Sequence, residues 1–198
     1  MRDLVFMMKK VGVLALQGGV DEHINALLKA SDRIRSPVRI AEVRSPDDME
    51  NLDGLILPGG ESTTISRLLH RSGTFERVKS VRKIMGTCAG AVLLAKKVEG
   101  ATPEQTFLSL MDISVSRNAY GSQASSFEAD FDTMLGRVHG VFIRAPKMSA
   151  ISKSVQTMAF YGNDLVAAYQ TDAKKHYLAL TFHPELTSTK FHEFFLKL

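Results

Sequence analysis

At 198 residues, with 44% hydrophobic and 23% charged side chains, the sequence has the size and make-up of one ordinary globular domain with a sizeable core. Its 25 basic and 21 acidic residues leave a net charge of +4, spread along the chain without a basic block or an aromatic-interleaved basic stripe, which excludes the usual signature of a nucleic-acid binder. A single cysteine rules out an internal disulfide framework, and no apolar run is long enough to span a membrane. The first eight residues are too short and too acidic for a secretory signal, so residues 1–8 read as extra or disordered N-terminal residues on a single domain spanning 1–198. A cytoplasmic protein is expected.

In chain order, the apolar run 11–16 ending at Gln17-Gly18-Gly19 predicts a buried parallel strand and a turn. Val20, Ile24, Leu27 and Leu28 then share one helical face. The third glycine of a dinucleotide fingerprint is missing here. Strands follow at 38–43 and 53–57. The second runs straight into Pro58-Gly59-Gly60-Glu61-Ser62-Thr63-Thr64, where Ser62 or Thr63 is expected to cap a helix carrying Ile65, Leu68 and Leu69. A strand, a glycine pair and a helix start expose several N–H groups, suited to an anion or a developing oxyanion; the plainer alternative is an ordinary turn. No Gly-Lys-Ser/Thr follows, so this is not a nucleoside triphosphate loop.

The next unit contains the only cysteine. Apolar residues lead into Gly86-Thr87-Cys88-Ala89-Gly90, and residues 89–97 read as a helix. A side chain pinched into such a strand-to-helix bend, at the positive end of a helix dipole, has the setting of a nucleophile. A buried structural cysteine is the alternative. From here the pattern turns mostly to strands, at 113–117, 126–131, 138–144, 155–161, 165–170 and 177–182, with Gly162-Asn163-Asp164 as a hairpin turn. Phe191, Phe194, Phe195 and Leu198 close the chain as one helical face. The expected fold is three-layer α/β: a central, mostly parallel mixed sheet flanked by helices on both faces.

The strand at 177–182 ends in His183-Pro184-Glu185. At the carboxyl edge of a parallel sheet, strand ends converge where ligands bind. His183 is therefore placed to stand beside Cys88, with Glu185 holding the imidazole in one tautomer. Taken alone, His183 reads as a hydrogen-bonded histidine near a strand end; its conjunction with Cys88 and the Gly59-Gly60 loop is what favours the relay. His23, His70, His139, His176 and His192 read as surface or packing residues, and no pair of them has metal-ligand spacing, so neither a metal nor a cofactor is expected.

Gly86-Thr87-Cys88-Ala89-Gly90 with His183-Pro184-Glu185 far downstream resembles the class I, triad-type glutamine amidotransferases, whose fold is flavodoxin-like. Further segments sharpen the resemblance: Leu57-Pro58-Gly59-Gly60-Glu61-Ser62, Arg117-Asn118-Ala119-Tyr120-Gly121 and Val141-Phe142-Ile143-Arg144-Ala145-Pro146. Together they are similar to the glutaminase subunit of pyridoxal 5′-phosphate synthase, over essentially the whole chain from Val11. The resemblance implies Cys88 as nucleophile with His183 and Glu185 as its relay, and an oxyanion hole from backbone N–H groups of about Gly60 and Ala89. It implies an L-glutamine pocket lined by Gly60, Glu61, Ser62, Arg117, Ile143 and Arg144. It further implies a hetero-oligomer with a synthase barrel subunit, because a barrel of ~250 residues has no room on this chain. Two positions depart from the expected pattern: Ser122 stands where arginine is expected and Ser125 where an acidic residue is expected.

Overall fold

The structure is a computed structural model that describes residues 8–117 and 126–198. Its first half alternates strand and helix. β1 (Lys9–Leu14), α1 (Val20–Ile34), β2 (Val38–Val43), β3 (Gly54–Leu57), α2 (Ser62–Arg71), α3 (Phe75–Ser80), β4 (Lys83–Thr87) and α4 (Ala89–Leu94) follow in order. Strands then dominate: β5 (Ala95–Glu99), β6 (Met111–Ser116), β7 (Phe127–Phe131), β8 (Val138–Phe142), β9 (Lys147–Ala150), β10 (Val155–Tyr161), β11 (Asp164–Asp172) and β12 (Lys175–Leu180). A short 3-10 turn at Pro184–Leu186 and helix α5 (Lys190–Lys197) end the chain.

Ten strands form one mixed sheet in the order β2-β1-β3-β4-β12-β11-β9-β6-β5, with β10 paired to β11. From β2 to β12 every neighbour is parallel; β11, β9 and β10 extend the sheet antiparallel. β7 and β8 make a separate two-stranded sheet. Strand alternation sends side chains to two cores, one on each face. On β3 and β4, Leu55, Leu57 and Ile84 face the core under α2, α3 and α4, while Ile56 and Met85 face the core under α1 and α5. Phe191 and Phe195 of α5 are fully buried in the latter, each contributing about 2–3 kcal/mol of apolar burial. The three-layer α/β arrangement expected from the sequence is the one observed.

The differences are local. The helix expected over 89–97 stops at Leu94, because Ala95 turns to extended backbone and residues 95–99 pair with β6 as strand β5. The N-cap of α2 is Glu61 rather than Ser62 or Thr63. Its longer side chain accepts from the N–H groups of Thr63 (3.0 Å) and Thr64 (2.6 Å), while the Ser62 hydroxyl is already engaged by Gln105. Strand β9 and helix α3, four and six residues long, were too short to leave a periodic signal. Gly162 and Asn163 do form the turn between β10 and β11, where Tyr161 pairs with Asp164. Ser122 and Ser125 lie outside the described residues, as do residues 1–7 of the N-terminal segment; Met8 precedes β1.

Candidate active site

Four parallel strands, β1, β3, β4 and β12, end at the same edge of the sheet. Past those ends come the Gln17 turn, the Gly59-Gly60 loop, Cys88 and His183, and all four line one cleft of about 510 Å³.

Cys88 sits between β4 and α4 with φ 47° and ψ −104°, a left-handed conformation in a residue that has a Cβ. Such strain costs about 1–3 kcal/mol and persists only where the surroundings enforce it. Here its N–H donates to the Leu180 carbonyl of β12 at 2.8 Å, and its own carbonyl accepts from Val92 at 3.2 Å. Gly90 lets the bend pack: a Cβ there would stand 2.0 Å from the Leu57 carbonyl oxygen, so any larger residue would push α4 off β3.

His183 is fixed at both ends. Its backbone N–H donates to the Val141 carbonyl at 2.9 Å, and Nδ1 donates to Glu185 Oε1 at 2.7 Å. Cys88 is the ring's other interaction partner, and its thiol lies 3.8 Å from the Ile143 carbonyl oxygen. Burial disfavours the charged imidazole, but the hydrogen bonds to Cys88 and Glu185, with their charges, outweigh it and push His183 up to about 10. The Glu185 side chain is 1% exposed, behind His183 and away from the cleft. Gly59 lies directly against the ring: a Cβ on it would stand 2.3 Å from His183 Cε1.

The rest of the cleft is polar and charged. Arg117 follows β6; its Nη1 donates to Gln105 Oε1 at 2.6 Å and its Nη2 lies 3.5 Å from Glu61 Oε1. Burial works against the Glu61 charge, yet the hydrogen bonds from Thr64 and Thr63 prevail and hold its carboxyl down to about 2. Arg144, two residues past β8, has a positive φ of 45° and makes no ion pair among the described residues. A guanidinium without an ion pair among the described residues, a second one braced by Gln105 and an ionised carboxylate suit a zwitterionic amino acid.

The comparisons with known proteins decide the family. Residues 13–198 match the model of the SNO glutamine amidotransferase family. The chain belongs to that family. Pyridoxal 5′-phosphate synthase subunit PdxT of Thermococcus kodakarensis is 46% identical over 198 residues, covering 96% of this chain and 98% of that one. The PdxT of Pyrococcus horikoshii is 44% identical, covering 95% and 98%, and that of Oenococcus oeni is 45% identical, covering 97% of each. A crystal structure of a glutamine amidotransferase, 42% identical, superposes with a TM-score of 0.79 over 94% of this chain and 97% of the other. The fold is thus the α/β fold of the class I glutamine amidotransferases.

Within this SNO-family fold, Gly60, Glu61, Ser62, Arg117, Ile143 and Arg144 line the same cleft as Cys88, Ala89 and His183. Gly60 and Ala89, the latter the first residue of α4, border the space beside Cys88. The turn at Gln17 reaches the same edge: its side-chain oxygen accepts from the Glu61 N–H at 3.0 Å, and the Gly19 N–H donates to the Gly59 carbonyl at 3.3 Å.

Two residues escaped the sequence reading. Gln105, in the coil before β6, is buried and joins Ser62 to Arg117, donating to the Ser62 hydroxyl at 3.2 Å. No periodicity or motif marks it. His23 and His192 are indeed packed inside, both fully buried, but His23 also faces the partner of His183, with Nε2 3.5 Å from Glu185 Oε2. The helical spacing of Val20, Ile24 and Leu27 already put His23 on the inner face of α1; its partner, 162 positions away in the chain, was not visible.

Proposed function

We propose that this chain is the glutaminase subunit of a pyridoxal 5′-phosphate synthase, hydrolysing L-glutamine and passing the ammonia to a synthase barrel subunit. What carries the reading is Cys88 and His183 at the head of a cleft with arginines at its sides, and Glu185 hydrogen-bonded behind His183, in a chain 44–46% identical to subunits of that enzyme.

In this reading Arg117 and Arg144 bind the substrate α-carboxylate, and Glu61 with nearby carbonyls receives the α-ammonium. The Cys88 thiolate attacks the side-chain carboxamide carbon. N–H groups of Gly60 and Ala89 hold the oxyanion, and each such donor contributes on the order of 3 kcal/mol in the transition state. The His183 imidazolium protonates the leaving nitrogen, ammonia departs, and a γ-glutamyl thioester remains. The neutral His183 then takes a proton from water, whose oxygen attacks the thioester; the C–S bond breaks and glutamate leaves with Cys88 restored. Glu185 orients the ring throughout.

The acceptor chemistry lies on the barrel, in a hetero-oligomer, and docking completes the oxyanion hole through the Gly59-Gly60 loop, which the Gln17 turn already touches. A cytoplasmic setting fits a single catalytic thiol that must stay reduced. The test is glutamate release by the full chain with and without the barrel subunit. Large stimulation by the partner and loss in Cys88→Ala support the reading; equal turnover in Cys88→Ala and the parent chain would end it.

A further inference from the structure

Only one oxygen of Glu185 is accounted for by the triad. Oε1 holds His183, while Oε2 is buried and accepts no hydrogen bond from the described residues. What faces it is His23 Nε2 at 3.5 Å. That same nitrogen lies 3.0 Å from the hydroxyl of Thr87, the residue just before the nucleophile, and His23 Nδ1 lies 3.0 Å from His192 Nε2. A chain of side chains therefore runs from His183 through Glu185 and His23 to His192, joining β12, α1 and α5 behind the cleft.

The direction of its protons follows from the chemistry. Burial pushes His23 well below the ordinary histidine range and His192 down to about 3, so both are neutral and each has one N–H. If His23 placed its N–H on Nδ1, the Nε2 lone pair would face the carboxylate oxygen and His192 Nδ1 would be a buried N–H without an acceptor. Placed on Nε2, the N–H faces Thr87 Oγ1 at 3.0 Å with Glu185 Oε2 beside it at 3.5 Å, and His192 Nε2 donates to His23 Nδ1. The remaining orphan is then a bare His192 Nδ1 acceptor, which interiors tolerate better than an orphaned N–H.

We infer that His23 is a positioning residue of the triad: its Nε2–H anchors the free oxygen of Glu185, and so keeps the other oxygen aimed at His183, while pinning the turn that presents Cys88. The inference rests on the glutaminase reading above. Because α1 begins at the Gln17-Gly18-Gly19 turn beside the Gly59 carbonyl, the anchor and the loop of the cleft share one rigid element.

The experiment compares His23→Leu, His23→Gln and His23→Asn in the full chain with the barrel subunit present. The glutamine Nε2 is as many bonds from Cβ as the histidine Nε2, so Gln restores an N–H toward Glu185. Asn is one bond shorter and does not. Expected is a kcat for glutamine hydrolysis lower by on the order of tenfold or more in His23→Leu and His23→Asn, with KM nearly unchanged, and largely recovered in His23→Gln. The His183 titration, followed by NMR of the ring, gives a second readout. Cys88 and Glu185 are the charged or titratable partners that raise it, with His23 facing from α1, and a loosened Glu185 lets its midpoint fall in His23→Leu and His23→Asn but not in His23→Gln. Should His23→Leu fail to fold, the Gln–Asn comparison decides alone. Equal kcat in Gln and Asn variants, or an unmoved His183 midpoint, would overturn the inference and leave His23 a packing residue. A parent chain without glutaminase activity would instead refute the functional reading.

Discussion

Gly59→Ala is the sharpest test of how closely the cleft holds His183, the proposed base. The added Cβ would lie 2.3 Å from His183 Cε1 and 3.0 Å from Nδ1, about 1 Å short of ordinary contact. Neither neighbour has room to yield. His183 is tied through its backbone to Val141 and through Nδ1 to Glu185 at 2.7 Å, and Gly59 is tied through its carbonyl to Gly19. A displacement of about 1 Å at a reacting group costs on the order of 100-fold in rate, or about 2.7 kcal/mol. The arginines that would hold the substrate α-carboxylate stand on other loops and are not touched, so the loss should fall on kcat. Steady-state glutaminase kinetics with the barrel subunit, alongside a thermal melt to show the fold intact, make the measurement. A folded Gly59→Ala enzyme with kcat within about twofold of the parent would refute the claim that His183 works from this position.

Cys88→Ala should abolish glutamine hydrolysis, yet its complex with the barrel should still form product from ammonium salts; failure with ammonium would mean the substitution damaged the assembly rather than the chemistry. His183→Asn should approach the loss of Cys88→Ala, and Glu185→Gln should lose less, because an orienting group is partly replaceable while a proton carrier is not. Gln105→Leu should raise KM for glutamine several-fold with little change in kcat, by freeing the Arg117 guanidinium it braces at 2.6 Å; a kcat effect alone would contradict that assignment. His183 is raised from 6.5 to about 10 in the folded chain, so its contribution to stability is full below pH 6.5 and is lost as pH rises toward 10. Urea midpoints of the parent should therefore fall across that window more steeply than those of Glu185→Gln, which lacks one of the charges responsible.

Much of the site was legible because its signals are local. The elbow at Cys88 needs small residues on both sides, and Gly90 against the Leu57 carbonyl shows why. The Gly59-Gly60 loop and His183-Pro184-Glu185 each follow an apolar run that could only be a buried strand. What stayed hidden depends on distance in space rather than spacing in sequence. Lys96 and Lys97 looked like the polar end of a helix, but Ala95–Glu99 is a sheet-edge strand whose pairing with β6 is set from elsewhere. Ser62 and Thr63 carry the usual capping hydroxyls, yet Gln105 competes for Ser62 and leaves the cap to Glu61. The role of His23 required knowing that the turn after β12 folds back over the start of α1.

Cys88 and His183 are 95 positions apart in the chain, and the sheet alone brings them together. In the parallel pairing of β4 with β12, Thr87 stands opposite Leu180, and the next residue, Cys88, donates its N–H to the Leu180 carbonyl. Cys88 and His183 are thus each counted from one backbone register, one residue past it on β4 and three past it on β12. A slip of one residue would turn every side chain of β12 to the opposite face, exchanging Ala179 and Leu180 between the two cores as well as removing His183 from Cys88. The apolar alternation that builds the two cores therefore also enforces the register that sets His183 beside Cys88. The loops that join these strands can vary without disturbing the triad, provided the Gly59 and Gln17 segments keep their hydrogen bonds at the sheet edge.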